Sequence, residues 1–148
     1  MQEFQQELAV DPHNPDAEYE IGEINRERGQ LDQAREHFLR AIQNDSRFEE
    51  AQVAVARILV DLKKPKEALP YLLVAVRLDP ADEISHFLLA RVYSALGDVA
   101  KSQDETQLFQ KYHALSDPHP TGGEAVPEPL TSTEVTRQTL DSESKPRP

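Results

Sequence analysis

The chain has 148 residues, enough for one domain with its own core, and its 38% hydrophobic content is ordinary for a globular protein carrying a polar segment. A formal net charge of −11, with no cluster of Lys and Arg interleaved with aromatics, argues against nucleic acid as a partner. No apolar run approaches the ~18–20 residues of a membrane span, no signal segment is visible, and the absence of cysteine excludes disulfides. These features favour a soluble chain and slightly favour the cytoplasm, while leaving the compartment open.

In chain order, Phe4, Leu8 and Val10 precede Asp11-Pro12 as the end of a helix would. Residues 1–14 therefore read as the last half of a helical hairpin, either the start of a fragment of a longer array or a lone capping helix. Asn14-Pro15 is a good cap and first-turn pair. From here the sequence repeats with a period of 34. Asp11, Asp45 and Asp79 are in phase, as are Ile21, Val55 and Leu89, then Gly22, Ala56 and Ala90. Ala34 pairs with Ala68, Phe38 with Leu72, and Ala41 with Ala75; Gly29 and Gly97 lie two periods apart with Lys63 between them. The units run 15–48, 49–82 and 83–116.

Small residues such as Gly22, Ala34 and Ala41 allow close helix approach, and Phe38 and Leu72 fill the space between. Gly29 and Gly97 can end helices in the left-handed conformation, and Asp98 can cap the next. Pro65 suits the first turn of its helix. Pro70, about a turn later, predicts a local kink or a late helix start. The helix from Val99 to about Ala114 is polar over most of its surface, leaving Leu108, Phe109 and Tyr112 to pack, and can close the array. Segment 117–148 holds Pro118, Pro120, Pro127, Pro129, Pro146 and Pro148 among many Ser, Thr and Glu. Such a composition cannot offset its ordering entropy, so a disordered tail is expected, with Leu130, Val135 and Leu140 as a possible short docking motif.

The period, the small residues and the paired Ala-aromatic positions resemble the tetratricopeptide repeat family, best seen from Ile21-Gly22 through Gly29-Gln30-Leu31-Asp32-Gln33-Ala34 to Phe38, Ala41 and Asp45. The resemblance implies an all-α right-handed superhelical solenoid of helix-turn-helix units. Glu18, Gln52 and His86 depart from it, standing where the family often has Trp, and Ser102 and Thr106 replace its small and aromatic residues in the last unit.

No Gly-rich phosphate loop, Cys nucleophile or Gly-x-Ser-x-Gly turn is present. His113 and His119, six apart across a Pro-rich break, make a poor zinc pair, and carboxylate pairs such as Glu23 and Glu27 read as solvated helix faces. The expectation is a protein that is not an enzyme and takes no cofactor or metal. The resemblance instead implies a concave binding surface on the first helix of each unit. Carried over, it comprises Tyr19, Glu20, Glu23 and Glu27, then Val53, Arg57 and Val60, then Ile84, Phe87, Leu88 and Arg91. The expected function is an adaptor or scaffold that binds a protein or peptide. Its groove would be acidic at one end and apolar, with two arginines, at the other.

The stretch Ile84 to Asp98 reads as an amphipathic helix with a stop signal, yet it has more apolar residues than one face holds. Ile84, Phe87 and Leu88 lie opposite the stripe of Leu89, Val92, Tyr93 and Leu96. Neighbouring helices, a ligand, a second copy or the tail can each cover that side. Family members that clamp C-terminal carboxylates use Lys, Asn and Arg at positions matching Tyr19, Glu23, Ala54, Ile84 and Leu88, so that role is rejected. The alternatives are a non-catalytic repeat segment of a larger enzyme or assembly machine, and a self-association module.

Overall fold

The computed structural model describes residues 1–117; the tail expected over 117–148 lies, but for Asp117, outside the described residues. Among the described residues there are seven helices and no strand: α1 (Gln2–Val10), α2 (Pro15–Glu27), α3 (Leu31–Asn44), α4 (Glu49–Asp61), α5 (Pro65–Leu78), α6 (Glu83–Ala95) and α7 (Val99–Ser116). Helices α2 and α3, α4 and α5, and α6 and α7 form antiparallel pairs. Each new pair stacks on the one before, α4 against α3, and α6 against both α5 and α4. The fold is an all-helical solenoid.

Two kinds of turn, each recurring every 34 residues, set this geometry. After α2, α4 and α6 the chain passes through a left-handed residue: Gly29 (φ 76°), Lys63 (φ 62°) and Gly97 (φ 81°). The following N–H of Gln30, Lys64 and Asp98 then donates back to the carbonyl of Asn25, Leu59 and Tyr93 at 2.9, 2.8 and 2.9 Å. This closes helix ends whose last carbonyls would otherwise lack partners. After α1, α3 and α5 the extended Asp11, Asp45 and Asp79 accept, through their side chains, the N–H of His13, Arg47 and Ala81 at 3.0, 2.9 and 3.1 Å. A short carboxylate is thus the turn-forming element of each connection between pairs.

Asn14 caps α2 by accepting from the Ala17 N–H at 3.0 Å, and Asp82 caps α6 by accepting from the Ser85 N–H at 2.9 Å. Pro65 opens α5, whose first turn closes with Ala68 N–H to Lys64 carbonyl at 3.1 Å. The helix therefore does not start late: it begins at Pro65, and Pro70 lies inside it, on an exposed position.

Ala34, Phe38 and Ala41 of α3 and Ala68, Leu72 and Ala75 of α5 are fully buried, in phase with one another. Helix α4, with pairs on both sides, buries apolar residues around most of its circumference, from Ala51 to Val60. Helix α7 buries none fully; Leu108, Phe109 and Tyr112 are half-buried against α6. Where the family often has Trp, this chain buries polar groups and satisfies them. Glu18 meets His37 Nδ1 at 2.7 Å, Gln52 donates to the Ser46 carbonyl at 3.3 Å, and His86 faces Glu105 at 2.7 Å and the Pro80 carbonyl at 2.8 Å. Glu18 with His37 and His86 with Glu105 occupy equivalent positions with the residue types exchanged, so each ties the two helices of its own pair.

Candidate functional site: an acidic concave pocket and an end groove

The start of each pair's first helix faces a shared concavity. A pocket of about 160 Å³ is lined by Tyr19 and Glu23 of α2, Glu49, Glu50, Val53, Ala54 and Arg57 of α4, and Asp82 and Ile84 at the start of α6. It combines an apolar floor with four carboxylates and one guanidinium. The Tyr19 ring is held between Phe38 and Phe48, with centroids 5.5 and 5.1 Å away. Burial, and then the neighbouring Glu23 and Glu50, push its phenol up to about 12, so it remains a neutral donor across the physiological range.

Glu49 is the most perturbed carboxyl. Burial raises it first, followed by repulsion from Asp82 and Glu50, to about 7. Like charges crowded at a half-buried site disfavour ionisation, and an added cation relieves that cost. Glu23 is already engaged: Arg26 forks onto it at 2.8 and 3.1 Å. Arg57, half-buried, makes no ion pair within 4.0 Å among the described residues.

The structure divides the residues expected to line one groove. Tyr19, Glu23, Val53, Arg57 and Ile84 come together in the pocket just described. Phe87 and Arg91 instead line a larger groove of about 530 Å³ between α6 and α7. Arg91 also meets Val60 in a depression beside Lys63 and Pro65. Glu20 and Glu27 are exposed and line none of these three.

Leu88 is only 3% exposed and belongs to the core, whereas its neighbour Phe87 is 44% exposed. The expectation that Leu88 is presented to a ligand is corrected: α6 stacks on α4 and α5, and that contact covers the side bearing Leu88. Val53 and Val60 are likewise nearly buried, at 7% and 8%, so they contribute floor rather than wall. Sequence reasoning missed Glu49, Glu50 and Asp82. Their signal was available, since each sits at the start of a unit's first helix, where the chain enters the concavity.

Two family models for the tetratricopeptide repeat match residues 2–47 and 49–82. With the seven stacked helices, these matches show that the chain belongs to the tetratricopeptide repeat family. It is 28% identical over 116 residues to the protein O-mannosyl-transferase Tmtc3 of Drosophila melanogaster, an alignment covering 78% of this chain and 12% of the transferase. Among solved structures it resembles MamA, with a TM-score of 0.69, 18% identity, and coverage of 75% of this chain and 65% of that one. It also resembles YrrB, described as a TPR protein with an unusual peptide-binding site, with a TM-score of 0.68, 22% identity, and coverage of 75% and 57%. The chain thus spans about an eighth of the transferase and less than two thirds of each solved chain. No described helix is long and apolar enough to cross a membrane.

Proposed function

We propose that the chain is a non-catalytic protein-interaction module that binds a peptide bearing a basic residue beside an apolar one. The observation that supports this reading is the crowding of Glu49, Glu50 and Asp82 against an apolar floor of Tyr19, Val53 and Ile84. A Lys or Arg side chain placed there gains carboxylate partners and removes their mutual repulsion. An adjacent aliphatic or aromatic residue fills the floor. Arg57 and the Tyr19 hydroxyl supply the donors that would hold the peptide backbone. Glu20 and Glu27, exposed along the same helix, extend the acidic approach and attract a basic ligand from a distance.

The test is a random 12-residue peptide array probed with the wild-type chain and with Glu50→Lys. The wild type should select peptides carrying Lys or Arg next to an apolar residue, and the variant should lose them about tenfold or more. Selection of neutral or acidic peptides, or equal selection by both proteins, would count against the pocket. A second reading is favoured by the match to a small part of Tmtc3: the repeats serve as the partner-binding segment of a larger enzyme. A full-length transcript in which the reading frame continues into a transferase domain would support it.

A further inference from the structure

The groove between α6 and α7 has two equivalents inside the same molecule, and both are filled. Subtracting 34 from Phe87, Ala90, Ser94, Ser102, Thr106 and Phe109 gives Val53, Ala56, Val60, Ala68, Leu72 and Ala75, all buried where α6 lies on α4 and α5. Subtracting another 34 gives Tyr19, Gly22, Arg26, Ala34, Phe38 and Ala41 on α2 and α3, half-buried or buried, with α4 stacked against α3. The occupant of each filled groove is therefore known, and its chemistry can be read. In α4 the residues Ala51, Ala54, Val55 and Ile58, and in α6 the residues Ser85, Leu88, Leu89 and Val92, are buried at spacings i, i+3, i+4 and i+7. At the position of Ala54 and Leu88, α2 carries Glu20, which is exposed.

We infer that the α6/α7 groove is a docking site for an amphipathic α-helix of a partner protein. Its buried face is small at i and apolar at i+3, i+4 and i+7, and an acidic residue stands at its N-terminus.

The acidic residue follows from Arg91. Its equivalent one unit earlier is Arg57, which shares a pocket with Asp82, the N-cap of the very helix that fills the α4/α5 groove. Arg91 lies over the Phe87 ring at 5.9 Å and makes no ion pair within 4.0 Å among the described residues. An aspartate capping an incoming helix would stand where Asp82 stands relative to Arg57. The groove floor is ready for close approach. Ala90 and Ser94 are small, and the hydroxyls of Ser102 and Thr106 already donate to the carbonyls of Ala90 and Ser102 at 2.9 and 2.8 Å, so covering them strands no donor.

A second copy stacked head to tail fits less well. Its α2 is the helix that would have to enter, but α2 comes with α1 already packed against it, on the side where the first copy's α7 stands. This docking differs from the concave pocket and does not require it.

The probe is a fluorescein-labelled, helix-stapled peptide of residues 80–96, carrying Phe87→Gln for solubility and Arg91→Gln, so that no Lys or Arg stands beside an apolar residue as it would in a ligand of the concave pocket. The control is the same peptide with Leu88→Asp and Leu89→Asp. Binding to the full chain is read by anisotropy. The expected result is saturable binding of the probe, at least tenfold weaker for the control. Ser94→Trp, an exposed substitution that fills the groove, should abolish binding, and Arg91→Glu should weaken it about tenfold. Circular dichroism confirms that each variant is folded.

Equal binding of probe and control, or full binding by folded Ser94→Trp, would overturn the inference. Two other results would also overturn it, by assigning the groove to another occupant. One is binding that occurs only after residues 118–148 are removed. The other is a dimer seen by light scattering without peptide and lost in Ser94→Trp.

Discussion

Gly22→Ala tests the packing logic that builds the array. A Cβ at position 22 would lie 2.5 Å from Phe38 Cε1 and 2.7 Å from Cδ1, and Phe38 is wholly buried, so the ring has nowhere to retreat. Overpacking of this kind costs roughly 1–3 kcal/mol, against about 1 kcal/mol gained by replacing a helical Gly with Ala. The single variant should lose about 1 kcal/mol net. The next unit solves the same contact differently, with Ala56 opposite the smaller Leu72. Phe38→Leu alone should cost about 1–2 kcal/mol through the cavity it leaves. The double variant reproduces the 56/72 pair, so its cost should fall well below the sum, with a coupling of about 1–3 kcal/mol in urea unfolding followed by circular dichroism. Strictly additive losses would refute the claim that residues 22 and 38 are chosen for each other's size.

Three further outcomes follow from the geometry. Lys63 adopts a left-handed conformation at the turn where Gly29 and Gly97 stand in the neighbouring units. Lys63→Gly should therefore raise stability by about 1 kcal/mol, measured by urea unfolding. The carboxyl of Glu49 is raised to about 7, so between the ordinary carboxylate range and neutrality the folded chain holds a proton that the unfolded chain has released. Stability should fall as pH rises through that window, and Glu49→Gln should flatten the fall and stabilise the chain at pH 8 by roughly 1–2 kcal/mol, allowing for solvent screening. Phe87→Glu should retain the helical circular dichroism and lose little stability because Phe87 is 44% exposed, whereas Leu88→Glu should unfold the last pair.

The period was legible in the sequence because the turns demand particular residues. An Asp whose side chain accepts a backbone N–H two residues on must recur where the chain crosses between pairs, and a left-handed residue must recur within each pair. Small residues facing large ones, such as Gly22 facing Phe38, add a second signal in the same phase. The site was less legible. Phe87 and Leu88 are adjacent and equally apolar, about 100° apart around α6; which one is buried is decided by how α6 stacks on α4 and α5, a tertiary contact that α6's own sequence does not encode. The polar groups at Glu18, Gln52 and His86 read as departures from the family pattern, since their partners His37, Ser46 and Glu105 lie on other segments. The acidic pocket collects side chains from three units, so no local window of sequence displays Glu49, Glu50 and Asp82 together.

The most direct measurement of the central claim is an amide nitrogen–proton correlation spectrum of the chain, titrated with a short peptide containing Lys beside Leu, together with its Lys→Glu counterpart. Shifts centred on Tyr19, Val53, Arg57 and Ile84 are expected with the first peptide and none with the second. Shifts centred away from the pocket, on exposed residues of α3 and α5 such as Arg40, Gln43 and Arg77, or the same pattern with both peptides, would count against the pocket.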